Sequence, residues 1–220
     1  SDVCSSDLGL LHLREGTPFA LYAHPRVLAV LADNPIFEVV DRSLVPRREF
    51  RMGSRAIVMD AAEGDLGLAI EPFATPGKLP LYLEGGREVL DTAAMDGDTL
   101  GLEIEAGAGR LLYVANCARL TDALLDRIAG ADILFLDGTL WRDDEMIVQG
   151  VGRKTGRRMG HISMSGPDGA IERLARVPVG RRIFIHVNNT NPALLADSPE
   201  RGTLERAGWE VAFDGMELSL

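Results

Sequence analysis

The 220-residue sequence predicts an α/β protein built on a mixed β-sheet. Two runs, ADILFLDGT at 131–139 and RRIFIHVNN at 181–189, are continuously apolar, which is typical of strands buried on both faces. Helical patterns at 166–177 and 198–208 follow these runs. Because helical crossovers join parallel strands and tight turns join antiparallel ones, a chain with both signals predicts a mixed sheet.

The remaining strands follow from short apolar or alternating runs. A helix begins at Pro25 and extends to about Leu31, because proline suits the first helical turn. The AGAG stretch predicts a turn between two strands, and the Gly- and Asp-containing residues 84–98 predict a loop. The predicted strands are 19–23, 66–73, 99–106 and 110–116, with the AGAG turn at 106–109.

Capping residues mark the later helices. Thr121 is a predicted N-cap for a helix over 120–130 that stops at Gly130, and Ser198 is one for the helix that breaks at Gly208. The stretches WEVAF and MELSL, joined by Asp214-Gly215, predict a closing hairpin.

Composition narrows the class of protein. The 33 acidic residues outweigh 23 basic ones, which argues against a protein that tracks nucleic-acid phosphates. A 46% hydrophobic content excludes general disorder, and no apolar run reaches the length of a membrane helix. Two cysteines, Cys4 and Cys117, give neither a zinc-ribbon spacing nor a disulfide framework, so a reducing cytoplasmic location is expected.

The opening SDVCSSDL has the form of a translated sequencing adapter, and the alternative is a genuine polar N-terminus. We therefore expect residues 1–8 to be non-native and residues 9–220 to form a single, partial domain.

Two polar residues end buried strands. Asp137 ends ILFLD and His186 ends IFIH, at the strand ends that border the ligand crevice in open α/β sheets. A carboxylate and a neutral imidazole suit a metal ion. The alternatives are a turn aspartate in the Asp-Gly pair and a core histidine with satisfied hydrogen bonds.

Further candidates surround these two. Lys154, Arg157 and Arg158 lie close to His161 in sequence, so a basic loop could hold an anionic substrate beside an acid/base histidine, or be simply solvated. Asn188, Asn189 and Asn191 either orient substrate or shape turns, and we expect two of the three to be structural.

Cys117 and the charge run at 141–146 are two further polar features of the sequence. Cys117 is expected to be a small buried residue rather than a nucleophile. The charge run WRDDEM at 141–146 predicts a solvated face, with a lid as the alternative.

Taken together, LLYVANCARLTDALL, LFLDGTLWRDDEM, TGRRMGHISMSGP, IFIHVNNTNP and GWEVAFDGMEL resemble the coenzyme PQQ synthesis protein B family, from Gly9 to Leu220. The resemblance implies the metallo-β-lactamase fold, an αββα sandwich with mixed sheets, whose first half is expected to be incomplete here. The family's early Asp-His metal motif has no counterpart before Gly9, so part of the metal site is expected to be missing.

By position, the resemblance implies Asp137 and His186 as ligands of a divalent metal, iron or zinc, and His161 as the catalytic residue facing substrate. From the basic loop and the Asn-rich loop, we expect Arg157, Arg158, Asn188 and Asn189 to bind substrate. Cys117 stands where hydrolases of this fold place a further histidine ligand, and a thiol could still ligate.

Three functions follow from the resemblance. The first is iron-dependent hydroxylation of a tyrosine in a peptide-derived precursor of pyrroloquinoline quinone (PQQ). The second is a non-enzymatic carrier that moves PQQ or its precursor towards the periplasm, and the third is a metal-dependent hydrolase. The expected partner is PQQ or its precursor, without nucleic acid or membrane insertion, and a homodimer is left open. The fragment itself is expected to be inactive.

Overall fold

A computed structural model describes residues 9–13, 16–77 and 99–220. The chain divides into two compact units, Ser1–Pro72 and Phe73–Leu220, which are described separately. The loop predicted at 84–98 lies outside the described residues.

The first unit consists of short elements. Strand β1 pairs in parallel with β2, and β3 pairs antiparallel with β4, where Ala56 lies opposite Ile70. The strand predicted at 19–23 and the helix beginning at Pro25 are both confirmed. The elements are a 3₁₀ turn at Leu10–Leu13, β1 (Leu21–Ala23), α1 (Pro25–Asp33), a 3₁₀ turn at Pro35–Val39, β2 (Arg47–Glu49), β3 (Ala56–Met59) and β4 (Asp65–Ala74).

The second unit is organised by a mixed sheet in which β5 to β9 lie in chain order. Its elements are β5 (Leu100–Ala106), β6 (Gly109–Val114), α2 (Asp122–Ile128), β7 (Ala131–Asp137), α3 (Glu145–Val148), α4 (Gly156–Met159), α5 (Ala170–Arg173), β8 (Val179–Ile185), a 3₁₀ turn at Pro192–Leu194, α6 (Pro199–Arg206) and β9 (Trp209–Val211). β5 and β6 are antiparallel, and β6 to β9 are parallel. The predicted mixed sheet is therefore confirmed.

The predicted caps explain where two helices begin. The hydroxyl of Thr121 accepts a hydrogen bond from the Leu124 N–H at 3.2 Å, and that of Ser198 accepts one from the Arg201 N–H at 3.0 Å. Gly130 ends the first helix with φ +80°, a backbone conformation that residues with a Cβ rarely adopt.

Two predicted elements differ from the structure. The closing hairpin is wrong: Trp209–Val211 pairs in parallel with β8 instead, and residues 216–220 form no strand. Burial decides this pairing, because it places Trp209 against Phe184 with their rings stacked at 4.0 Å. The helix predicted over 166–177 shortens to Ala170–Arg173, and it cannot begin earlier because Gly166 has φ +93° and Gly169 is extended.

The core of this unit lies beneath the carboxyl ends of β7 and β8. Leu134 and Leu136 of β7 and Phe184 of β8 are fully buried, so the strand ends rest on a close-packed base. Within the described residues, no helix has the length and apolar character needed to cross a membrane.

Candidate metal centre

Asp137 and His186 lie side by side because β7 and β8 are parallel neighbours. Asp137, the last residue of β7, is in register with Ile185, the last residue of β8, and His186 follows directly. His186 has φ +55°, in the left-handed region that few residues other than glycine adopt. Its backbone turns sharply out of the strand at the point where its imidazole is placed beside Asp137.

His161 comes to the same place from a different segment. The short helix α4 is capped by Thr155 and ends at Gly160, whose φ of +90° turns the chain before His161. Asp137, His161 and His186 each offer one potential metal-ligand atom, and these three atoms lie within 4.8 Å of one another. Among the described residues, these three form the group of side chains that could hold a metal ion.

The Asp137 carboxylate is fully buried and organises the centre. Its Oδ2 accepts hydrogen bonds from the Cys117 N–H at 2.9 Å and from Nδ1 of His161 at 2.8 Å. Its Oδ1 accepts from the backbone N–H and the hydroxyl of Thr139, at 3.0 and 2.6 Å. The carboxylate is thus held in one orientation by donors from three separate segments.

Thr139 links all three donor residues. Its single hydroxyl proton goes to Asp137, so Oγ1 is left to accept a hydrogen bond from Nδ1 of His186 at 3.0 Å. Nδ1 of His161 lies 3.1 Å from the same Oγ1. This network places a proton on Nδ1 of both histidines. Nε2 of His186 therefore keeps the lone pair that a neutral imidazole uses to bind a metal, and Nε2 of His161 keeps one that can accept a proton.

The electrostatics of the centre suit a cation. Burial lowers the pKa of His186, as does the nearby His161, although the Asp137 carboxylate opposes both. The lowered pKa favours the neutral, ligating form of His186. A buried carboxylate beside two imidazoles is a donor set that binds Zn²⁺ and Fe²⁺, so these residues fit a divalent metal.

A cavity of about 690 Å³ borders the centre, and His161 lies in its wall. Its described lining also contains charged side chains of both signs. The basic ones are Arg119, Arg142, Arg157 and Arg173, and the acidic ones are Asp143, Asp144 and Asp168. Arg142 is 3.1 Å from Asp144, whereas Arg157 reaches Asp168 only at 4.0 Å and is 72% exposed. The wall beside His161 therefore offers accessible positive charge.

The other predicted substrate-binding residues, unlike Arg157, do not line the described part of the cavity. Arg158 is exposed and lies outside the described lining of the cavity. Asn188 and Asn191 shape the loop: Asn188 donates to the Thr190 hydroxyl at 2.6 Å, and Asn191 donates to the Gly138 carbonyl at 3.0 Å. Asn189 is exposed in the same loop.

Cys117 reaches the centre through its backbone. Its thiol is fully buried and donates to the Arg119 carbonyl at 3.1 Å, while its N–H binds Asp137. Burial raises the pKa of Cys117 to about 12, and the Asp137 charge adds to this effect. The thiol is not a member of the described donor group. The expected small buried residue is confirmed.

Sequence reasoning missed Thr139 and Glu145. Thr139 carried one signal, a hydroxyl two residues after a strand-end aspartate, where it can turn back to the carboxylate. Glu145 carried none, because it lies in the charge run expected to be a solvated face. That expectation is wrong for Glu145, which is only 6% exposed.

Comparison with known proteins defines the class first. Residues 6–187 match the Beta-lactamase superfamily domain. A diphosphatase of the PhnP family, 17% identical, has the same fold at a TM-score of 0.53 over 90% of this chain and 57% of its own. The second unit's mixed sheet and strand-end site belong to this metallo-β-lactamase fold, as expected from sequence.

Closer relatives define the family. Coenzyme PQQ synthesis protein B from Gluconacetobacter diazotrophicus is 50% identical over 96% of this chain and 68% of its own length. The crystal structure of Zn²⁺-bound PqqB from Methylobacterium extorquens is 48% identical, with a TM-score of 0.88 over 97% of this chain and 69% of that one. The chain belongs to the coenzyme PQQ synthesis protein B family.

Proposed function

We propose that this chain acts in PQQ biosynthesis as a metal-dependent oxidoreductase that hydroxylates the tyrosine ring of a peptide-derived precursor. One observation carries the proposal: a carboxylate and two imidazoles cluster within 4.8 Å beside a cavity with arginines in its wall. The names of its relatives support the pathway, and the Zn²⁺-bound structure of the Methylobacterium extorquens relative supports a divalent metal.

Ring hydroxylation places one oxygen atom of O₂ into an aromatic C–H bond. The second oxygen atom leaves as water, formed with two electrons from an added small-molecule reductant such as ascorbate and two protons from solvent. A bound iron would supply the electron exchange with O₂, which zinc cannot provide. Asp137 and His186 would hold that metal, and Thr139 keeps their orientation through hydrogen bonds to both.

His161 is the residue in position to move a proton. Its Nδ1 is bound to Asp137, which leaves Nε2 to exchange a proton with a molecule in the cavity. The arginines of the cavity wall would bind the carboxylates of an amino-acid-derived precursor and direct its ring towards His161. A cytoplasmic location and a homodimer remain predictions from the sequence.

The test is oxygen-dependent turnover of the precursor, with ascorbate as reductant, by this chain joined to the part of the Gluconacetobacter diazotrophicus relative that it does not cover and loaded with Fe²⁺ or Zn²⁺. We expect the precursor to gain one oxygen atom in mass with iron only, and both Asp137→Ala and His186→Ala to lose metal and turnover. Stoichiometric PQQ binding without metal, unchanged in both variants, would instead support a carrier. Product formed with zinc and without O₂ would support a hydrolase.

Replacing Arg157 by alanine is expected to weaken precursor binding about tenfold, the effect of losing one exposed charge-assisted contact. Binding is measured by calorimetry with the metal-loaded chain. Arg153→Ala is the matched control, because Arg153 is an exposed arginine nearby in sequence but outside the described cavity lining. Equal weakening in both variants would show a general charge effect rather than a contact in the cavity.

A further inference from the structure

Glu145, a buried carboxylate outside the donor group, connects the loop after β7 with the loop after β8. Glu145 is the first residue of α3 and is 6% exposed. Its Oε2 accepts a hydrogen bond from the Trp141 N–H at 2.7 Å, and its Oε1 accepts one from the Thr190 hydroxyl at 2.6 Å. Trp141 follows Thr139 by two residues and Thr190 follows His186 by four. Glu145 therefore holds both loops at once.

Other hydrogen bonds close the same connection. The Thr190 hydroxyl accepts from the Asn188 side-chain amide at 2.6 Å, and the Asn188 N–H donates to the Thr139 carbonyl at 3.0 Å. Asn191 adds its bond to the Gly138 carbonyl at 3.0 Å. A continuous polar network thus runs from Glu145 to the residue whose hydroxyl binds His186.

The backbone of His186 needs such support. A left-handed conformation at a residue with a Cβ persists where the surrounding structure imposes it. In the loop after β8, Val187 and Ala193 pack on the core, and between them the side chains of Asn188, Thr190 and Asn191 fix the backbone by hydrogen bonds. A carboxylate is also costly to bury, and the described contacts of Glu145 are with neutral donors.

We propose that Glu145 is a positioning residue of the metal centre, acting through Thr190 to hold His186 in place relative to Asp137. This inference rests on the proposed function, because it assigns a purpose to a residue that supports the metal site. Residues behind the ligands commonly change metal affinity by about 10- to 100-fold when they are replaced.

The test is the zinc dissociation constant of the 220-residue chain, measured by competition with a chromophoric chelator. Glu145→Leu removes both acceptors and is expected to weaken zinc binding about 10- to 100-fold. Glu145→Gln is expected to stay within about threefold, because the Thr190 hydroxyl can reverse and accept from the amide. The visible absorption of bound Co²⁺ should change in Glu145→Leu, which shows altered coordination rather than lower stability alone.

A second pair of variants tests the same connection from the other side. Thr190→Val removes the hydroxyl and should match Glu145→Leu, whereas Thr190→Ser should bind zinc as the parent does. The two losses should not add when combined, since they break one connection. Glu103→Leu is the stability control, because Glu103 is a half-buried carboxylate that pairs with Arg110 and Arg127. It should lower the melting temperature and leave zinc affinity unchanged.

The outcomes separate the two proposals. If the parent binds zinc and the folded Glu145→Leu and Thr190→Val variants bind it equally well, Glu145 is not a positioning residue and the metal centre stands. If the parent binds no metal, the proposed metal function fails, and imidazole ¹H–¹⁵N spectra of the metal-free chain decide for Glu145. One fixed His186 tautomer in the parent and an averaged one in Glu145→Leu supports the inference, and identical spectra overturn it.

Discussion

Replacing Asp137 by asparagine is expected to abolish metal binding and to lower the free energy of unfolding by about 3–5 kcal/mol. The variant removes the described carboxylate of the donor group. It also replaces one carboxylate oxygen by an NH₂ group, which cannot accept hydrogen bonds. If Oδ1 is replaced, two hydrogen bonds from Thr139 are lost, and if Oδ2 is replaced, those from Cys117 and His161 are lost. At a fully buried position the displaced donors find no water, so each pays its desolvation cost.

Urea unfolding gives the change in stability, and metal analysis after equilibration with zinc gives the binding. Asp132→Asn is the matched control on the same strand, because Asp132 is exposed and accepts from the Arg110 N–H at 2.8 Å. We expect that control to stay within about 1 kcal/mol and to bind metal normally. An Asp137→Asn chain that retains stoichiometric zinc would contradict the assignment of Asp137 as a ligand.

Replacing His186 by asparagine is expected to remove metal binding while changing the free energy of unfolding by no more than about 1 kcal/mol. The backbone at this position has φ +55°, and asparagine is one of the few residues that tolerates this region. The imidazole is only partly buried and hydrogen-bonds to Thr139, so little packing is lost.

The comparison variant is His186→Val, which also lacks the imidazole but carries a β-branched side chain. It should lose metal equally and cost a further 1–3 kcal/mol or so, because β-branched residues are strained at positive φ. Both values come from denaturant unfolding of the metal-free chains. If the two variants were equally stable, the left-handed backbone at His186 would not be a constraint of the fold.

Local signals in the sequence were sufficient for much of the fold. Continuous apolar runs located β7 and β8, and the capping residues Thr121 and Ser198 located two helix starts. The neighbouring positions of Asp137 and His186 also followed, since parallel strands bring their carboxyl ends to one edge. The family resemblance supplied the fold name, and the comparisons confirm that fold.

Other features depend on contacts between residues distant in sequence. Trp209–Val211 alternates as a hairpin strand would, and only stacking of Trp209 on Phe184 shows its true pairing with β8. Glu145 resembles its solvated neighbours in sequence, yet Thr190, 45 residues away, makes it part of the centre.

The sequence by itself determined the α/β class with a mixed sheet and the strand ends at which Asp137 and His186 stand, because apolar periodicity and caps act over a few residues. The tertiary structure decided the protonated nitrogen of each histidine, the direction of the Cys117 thiol and the role of Glu145. Those depend on hydrogen bonds whose partners are brought together only when separate segments pack around a buried carboxylate.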